Sequence, residues 1–285
     1  MTPQKYTVAD ISFEVSFPER FTSELMFRYE PFINAEARPD FRLEVSEIEN
    51  IQTVCVGDFI DKYNDEPPYL WLYRNNEEYI CGFSLNESSP SCYLIGNSLY
   101  LKSNLSFREA ETCITNSIML LYTKYSSVKG NLMIHASTIS YRDKAYIFLG
   151  KSGTGKSTHS RLWLENIKGC SLLNGDNPVV RVEEGGVYVY GSPWSGKTHC
   201  YKNEKHRLGG IVRLSQEPQN SITKLGIVQS YASFMPSCSN VRWDKNSSEA
   251  TSKTIEKVIL EVPCFHLGCL PDREAAELCC NTITR

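Results

Sequence analysis

"IFLGKSGTGKST", residues 147–158, decides the fold of half this chain. An apolar run breaks abruptly into Gly150, Gly153 and Gly155 and ends on Lys156, Ser157 and Thr158. Gly150, Gly155, Lys156 and Ser157 satisfy the spacing G-x-x-x-x-G-K-[ST]. Glycines let a backbone curl around an anion with its N–H groups pointing inward. A helix that begins at the lysine adds the field of its positive end. The expectation is a nucleotide-phosphate loop between a strand and a helix, with Gly150, Ser152, Gly153, Thr154, Gly155, Lys156, Ser157 and Thr158 as binding residues. The backbone of 153–156 would hold the β-phosphate, Lys156 would reach the β and γ oxygens, and Ser157 would ligate Mg²⁺.

Downstream, a helix from about Lys156 to Glu165 leads into "CSLLNGDN", a short apolar strand with an acid at its end. Parallel neighbours finish on the same sheet edge, which would bring Asp176 beside the phosphates as the second Mg²⁺ ligand. A turn-forming Asp ahead of Asn177-Pro178 is the alternative. Upstream, "LMIHASTISY" and "KAYIFLG" read as two strands joined by Arg142-Asp143-Lys144. "PVVRVEEGGVYVYG" carries a hairpin signal at Glu184-Gly185-Gly186. "LGGIVRL" is a further strand, "SSEATSKTIEKVILEV" a helix stopped by Pro263, and "CFHLG" a strand. A last helix over "DREAAELCCNTI" takes Asp272 as its N-cap.

The first hundred residues alternate with period two, as in "YTVADISFEVSF" and "FRLEVSEI", between turn clusters such as "NDEPP" and "NESSPS". This predicts an antiparallel, strand-rich region. A helix follows, opened by Ser106 and Glu109 as a capping box, with Phe107, Ala110, Ile114, Ile118, Leu121 and Tyr125 on one stripe. The domain reading is therefore 1–127, strand-rich and ending in a helix, and 128–285, nucleotide-binding. The fold class is α/β, α+β overall.

Composition narrows the function. At 285 residues with 41% hydrophobic and 22% charged residues the chain can build a core. A net charge of −3 and the lack of a long Lys/Arg run argue against nucleic acid as a partner. The start "MTPQKYTVADISFEVSF" has no leader pattern and no apolar stretch approaches the roughly 18 residues of a membrane span, so a cytoplasmic protein with no membrane partner is expected. Eleven cysteines at irregular spacing, without a C-x-x-C pair, read as reduced, buried small hydrophobes and give no zinc site.

Taken together, "IHASTISYRDKAYIFLGKSGTGKSTHSRLWL", "LLNGDNPVV" and "VYGSPWSGK" resemble the HPr kinase/phosphorylase fold family, whose P-loop core is shared with ATP-dependent phosphoenolpyruvate carboxykinase. The resemblance covers about residues 131–270. It implies a mixed-sheet core, ATP and Mg²⁺, a hydroxyl acceptor of the serine type, and a homo-oligomer. The family carries two consecutive acids where this chain has Gly175-Asp176, and the first of them is credited with taking the acceptor's proton. Asp176 matches the second, the metal acid. His135, at the family's strand histidine, is the substitute base; a histidine that only bonds neighbouring backbone is the other reading. Lys197 in "GSPWSGK" would approach a phosphate while Trp194 covers a base or substrate, or the segment is a turn with a packed Trp. Lys205, His206 and Arg207 either offset transition-state charge or form a solvated turn.

The expected activity is an ATP- and Mg²⁺-dependent kinase acting on a hydroxyl of a protein, peptide or small molecule, with Lys156, Asp176 and His135 as its catalytic groups. A nucleotide-binding regulatory protein that has lost transfer, favoured by Gly175, and a plain ATPase are the alternatives. The lack of an Asn-Lys-x-Asp motif favours ATP over GTP.

Overall fold

A computed structural model of the chain describes residues 3–21, 27–64 and 66–285. It divides into two compact units, Met1–Tyr125 and Ser126–Arg285. Both contain a mixed sheet with helices, an α+β class of architecture. Among the described residues no helix is long and apolar enough to cross a membrane, and all eleven cysteines are free thiols.

In the first unit the strands are β1 (Gln4–Val8), β2 (Ile11–Ser16), β3 (Phe41–Ile48), β4 (Asp58–Tyr63), β5 (Tyr69–Asn75), β6 (Glu78–Ser84), β7 (Cys92–Ile95) and β8 (Ser98–Lys102). They lie in the order β1-β2-β3-β8-β7-β6-β5-β4. The run from β4 to β8 is antiparallel, as the alternation predicts. The sheet as a whole is mixed, however, because β3 pairs parallel with both β2 and β8. Alternating burial fixes which face of a strand is inside and says nothing of its direction; the segment 17–40 is long enough for the crossover that a parallel pair needs. Helix α1 (Phe107–Ser127) buries Ala110, Ile114, Ile118 and Leu121, and its Tyr122 hydroxyl donates to the Val8 carbonyl at 3.0 Å. The expected capping box is half formed. Glu109 N–H donates to Ser106 Oγ at 3.3 Å, but the Glu109 carboxylate accepts from Ser84 Oγ and Leu85 N–H instead.

The second unit holds β9 (Asn131–Met133), β10 (Ala136–Tyr141), β11 (Lys144–Leu149), α2 (Lys156–Asn166), β12 (Cys170–Asn174), β13 (Val179–Glu183), β14 (Gly186–Tyr190), β15 (Lys205–Gln216), β16 (Ser221–Lys224), α3 (Ile227–Phe234), α4 (Lys245–Glu261), β17 (Cys264–Cys269) and α5 (Arg273–Ile283). The sheet runs β12-β10-β11-β15-β14-β13-β9, with β17 beside β15 and β16 beside β17. Its two faces carry two cores. Ala145, Ile147 and Leu149 of β11 join Ile255 and Val258 of α4 on one side, while Tyr146 and Phe148 join Trp163 of α2 and Ala276 of α5 on the other. A strand buried on both faces reads as a continuous apolar run, as "AYIFL" does.

"LMIHASTISY" is broken at Ile134-His135 into β9 and β10. Asn131 opposes Arg181, Met133 opposes Val179 and Thr138 opposes Asn174, all in one unbroken register. The segments 131–138 and 174–181 are thus a single bent antiparallel ribbon. Its two halves occupy opposite ends of the strand order, so the sheet curls until those ends meet at His135. Strand β16 and helix α3 carry no clear sequence signal. Helix α3 is only eight residues long, with Ser230 and Phe234 buried while Ile227 and Val228 stay exposed.

Candidate phosphate-binding site

Strand β11, held rigid by burial on both faces, delivers the chain to Gly150. Gly153 (φ 78°) and Gly155 (φ 107°) are left-handed, and a β-carbon at either would meet nothing within 4 Å. Their glycines answer to backbone conformation alone. At Gly150 the demand is space, since a β-carbon there would lie 2.9 Å from Thr154 Cβ. Gly155 is the N-cap of α2 and supplies no side-chain bond, which leaves first-turn N–H groups of the helix for a ligand.

Lys156 is only 8% exposed, and its ammonium donates to the Gly150 carbonyl at 2.9 Å. Burial lowers its pKa; the Asp176 carboxylate raises it and the Arg213 charge lowers it again. Arg213 sits on β15 directly opposite Leu149 of β11. Sequence reasoning overlooked it, and its one signal is a lone cation inside the apolar "LGGIVRL".

A cavity of about 410 Å³ opens over the loop, and it gathers Ser152, Gly153, Gly155, Lys156, Ser157 and Thr158. Asp176, His135 and Lys197 line the same space. Gly150 and Thr154 shape the loop without lining this cavity. Asp176 arrives by a different route from the one its sequence position predicts. Its strand, β12, runs in the direction of β11 but is not its neighbour, because β10 lies between them, antiparallel to both. Past the end of β12, Asn174 Oδ1 accepts from the N–H groups of Asp176 and Asn177 at 2.9 Å each, a turn that fixes the acid. Ala136 N–H then donates to the Asp176 carbonyl at 2.8 Å, and His135 Nδ1 comes 3.7 Å from Asp176 Oδ1. Burial lowers the His135 pKa, Asp176 raises it and Lys156 lowers it, so the ring is neutral near pH 7.

Position 175 has no room for a side chain. A β-carbon on Gly175 would lie 2.8 Å from the Ser195 carbonyl oxygen and 3.0 Å from Thr198 Cβ. Gly175 N–H donates to Ser195 Oγ at 2.8 Å. The 195–198 loop in turn needs Gly196, left-handed at φ 60°, where a β-carbon would stand 2.9 Å from Asp176 Cβ. Two facing glycines let this loop lie against the Gly175-Asp176 turn and carry Lys197 to the cavity.

Four residues take other roles. Trp194 is 4% exposed and does not line the cavity; its carbonyl accepts from Asn177 N–H at 2.9 Å, so the ring packs and covers no ligand there. Lys205 binds Glu183 at 2.6 Å, a bond that raises its pKa to about 12, and Arg207 pairs with Glu261 at 3.8 Å. That basic cluster begins β15 as exposed ion pairs away from the cavity lining. His159 is buried in α2 and edge-on to Phe148.

No group of three or more His, Cys, Asp or Glu able to hold a metal occurs among the described residues. Mg²⁺ does not ask for one: it keeps waters and takes one or two protein oxygens together with substrate phosphates. Ser157 and Asp176, both lining the cavity, offer the hard oxygen donors that such an ion takes. No protein-family model matches the chain, and comparison with curated proteins yields no match.

Proposed function

We propose that the Ser126–Arg285 unit is an ATP- and Mg²⁺-dependent phosphotransferase of the HPr kinase/phosphorylase-like class, transferring the γ-phosphoryl group to a hydroxyl of a protein, peptide or small molecule. One observation carries the reading: loop amides, a buried lysine, a helix-start serine, an acid and a neutral histidine line one cavity. The acceptor oxygen attacks the γ-phosphorus, the bond to the β–γ bridging oxygen breaks, and ADP leaves with that electron pair. The hydroxyl proton passes to the His135 imidazole, whose lowered pKa keeps it neutral and receptive near pH 7, and Asp176 at 3.7 Å steadies the imidazolium. Lys156 and the 153–156 amides offset charge on the phosphates. Mg²⁺ on Ser157 and Asp176 would supply further neutralisation of the same oxygens.

Gly175 favours a second reading, a nucleotide-binding regulatory protein without transfer. Purified protein with γ-labelled ATP, Mg²⁺ and candidate acceptor peptides separates the two. Label appearing in an acceptor and lost in Lys156→Ala supports the kinase. Tight ATP binding without turnover supports the regulator, and phosphate release without acceptor makes the chain an ATPase.

A further inference from the structure

A cavity of about 560 Å³ lies at the other end of the same sheet. Lys144 opens β11 and Gly150 follows its last residue, so at about 3.3 Å per residue the strand sets this cavity about 20 Å from the glycine loop. Its wall takes one cation from each of four segments: Lys144 at the start of β11, Arg207 near the start of β15, Lys224 at the end of β16 and Arg285 beyond α5. The apolar part of the wall is Leu208, Phe265 and Ile283, all buried. A volume of this size falls within the range of small-molecule sites, roughly 300–1,000 Å³.

The four charges are poorly offset. Glu261 is the one acidic side chain on the wall, and its Oε1 already accepts from Val187 N–H at 3.2 Å and stands 3.8 Å from Arg207. Lys144, Lys224 and Arg285 form no ion pair with a carboxylate among the described residues, whereas other exposed cations of this unit do, such as Arg161 with Glu165 and Arg273 with Glu277. Helices α4 and α5 both end at this cavity, and their C-termini bring about half a negative charge each, which falls short of three cations. The sheet is also shaped here. The β11–β15 register slips at Ala145-Tyr146 and leaves Gly209 as an extra residue on the cavity wall, where a β-carbon would lie 2.8 Å from the Tyr146 ring and 3.1 Å from Lys144 Cδ. A glycine bulge thus lets the Lys144 stem close in against β15 at the cavity's edge.

We propose that this cavity binds a small organic polycarboxylate, its carboxylates met by Lys144, Arg207, Lys224 and Arg285 and its carbon body lying on Leu208, Phe265 and Ile283. Charges arriving singly from four segments suit an anion whose own charges are spread over a short frame, and a guanidinium fork matches a carboxylate edge to edge. A compact phosphate is a poorer match, because phosphates are met by backbone amides and helix N-termini and both helices here present the opposite end. A net charge of −3 gives the chain no wider positive field for nucleic acid or a membrane surface.

Calorimetry on the full chain at low ionic strength, with propane-1,2,3-tricarboxylate and without Mg²⁺, tests this. Saturable binding is expected, about tenfold weaker for glutarate, which carries one carboxylate fewer, and weaker as salt rises. Lys224→Gln and Arg285→Gln, both at exposed positions where folding is not at issue, should each weaken the tricarboxylate about tenfold. Lys156→Ala in the glycine loop should leave it unchanged, which separates this cavity from the one over that loop. The ¹³C-methyl resonance of Ile283 should move during the titration and report the location. Three results overturn the inference: no saturable binding, binding lost in Lys156→Ala but kept in both glutamine variants, or pyrophosphate moving the Ile283 resonance at a lower concentration than the tricarboxylate.

Discussion

His135 and Asp176 are diagonal neighbours on one bent antiparallel ribbon. Ala136 faces Asp176 across it, with a 2.8 Å backbone bond between them, and His135 Nδ1 stands 3.7 Å from Asp176 Oδ1. This is the point at which the curled sheet closes, so an imidazole and a carboxylate some forty residues apart in sequence are presented together beside the loop.

If His135 takes the acceptor's proton, His135→Ala should lower kcat about 10²–10⁴-fold and leave the KM for ATP within about threefold. Steady-state kinetics with a saturating acceptor reads the split. An unchanged kcat would place the base elsewhere.

Placing an acid at position 175 should bring no gain. Gly175→Asp drives a β-carbon against the Ser195 carbonyl and Thr198, and overpacking of this kind costs about 1–3 kcal/mol. The urea midpoint is expected to fall and transfer to show no gain. A variant as stable as the parent and faster in transfer would contradict the closed-pocket account.

Lys156→Ala should cut transfer by about 10³-fold or more, through loss of charge stabilisation on the phosphates. Stability should change by no more than about 1 kcal/mol, because the substitution also removes a desolvated ammonium. Thermal melts alongside kinetics distinguish a catalytic loss from unfolding.

His159 makes stability depend on pH. Its folded pKa is about 4 against an ordinary value of 6.5, so the unfolded chain binds a proton that the folded chain refuses. Stability from this group is complete above pH 6.5 and declines as pH falls toward 4, by on the order of 3 kcal/mol. Urea unfolding without nucleotide or Mg²⁺ across that window should show the slope. His159→Gln, which keeps an acceptor for Trp163, should flatten it.

Gly196→Ala should raise the Mg²⁺ concentration needed for half-maximal transfer severalfold, because its β-carbon would press on Asp176 Cβ and a left-handed alanine adds about 1 kcal/mol of strain. A magnesium titration of the rate reads this directly. An unchanged requirement would separate the 195–198 loop from the Mg²⁺ role proposed for Asp176.

Local chemistry is what sequence conveys. The strand–glycine loop–helix at 144–166, the hairpin closed at Glu184-Gly185, and the Asp272 cap that accepts from Ala275 N–H at 2.8 Å all depend on residues a few positions apart. Periodicity likewise marked the buried stripe of α1, since helical spacing and burial are one pattern.

Strand direction and strand neighbourhood are not local. Nothing in "FRLEVSEI" tells whether its partners run with it or against it, and β3 proves parallel to both. Helix α3 and strand β16 are too short to carry a period. The Arg213 charge acts on Lys156 only because β15 lies beside β11, and the Ser195–Thr198 loop fills the space that a side chain at Gly175 would need.

By itself, then, the sequence determined the strand–glycine loop–helix, because the glycine conformations and the helix start that build it are fixed within nine residues. The tertiary structure alone decided that His135, Asp176 and Lys197 share its cavity. Their approach depends on how the sheet curls and on two glycines that let one loop lie against another, and both are long-range consequences of packing.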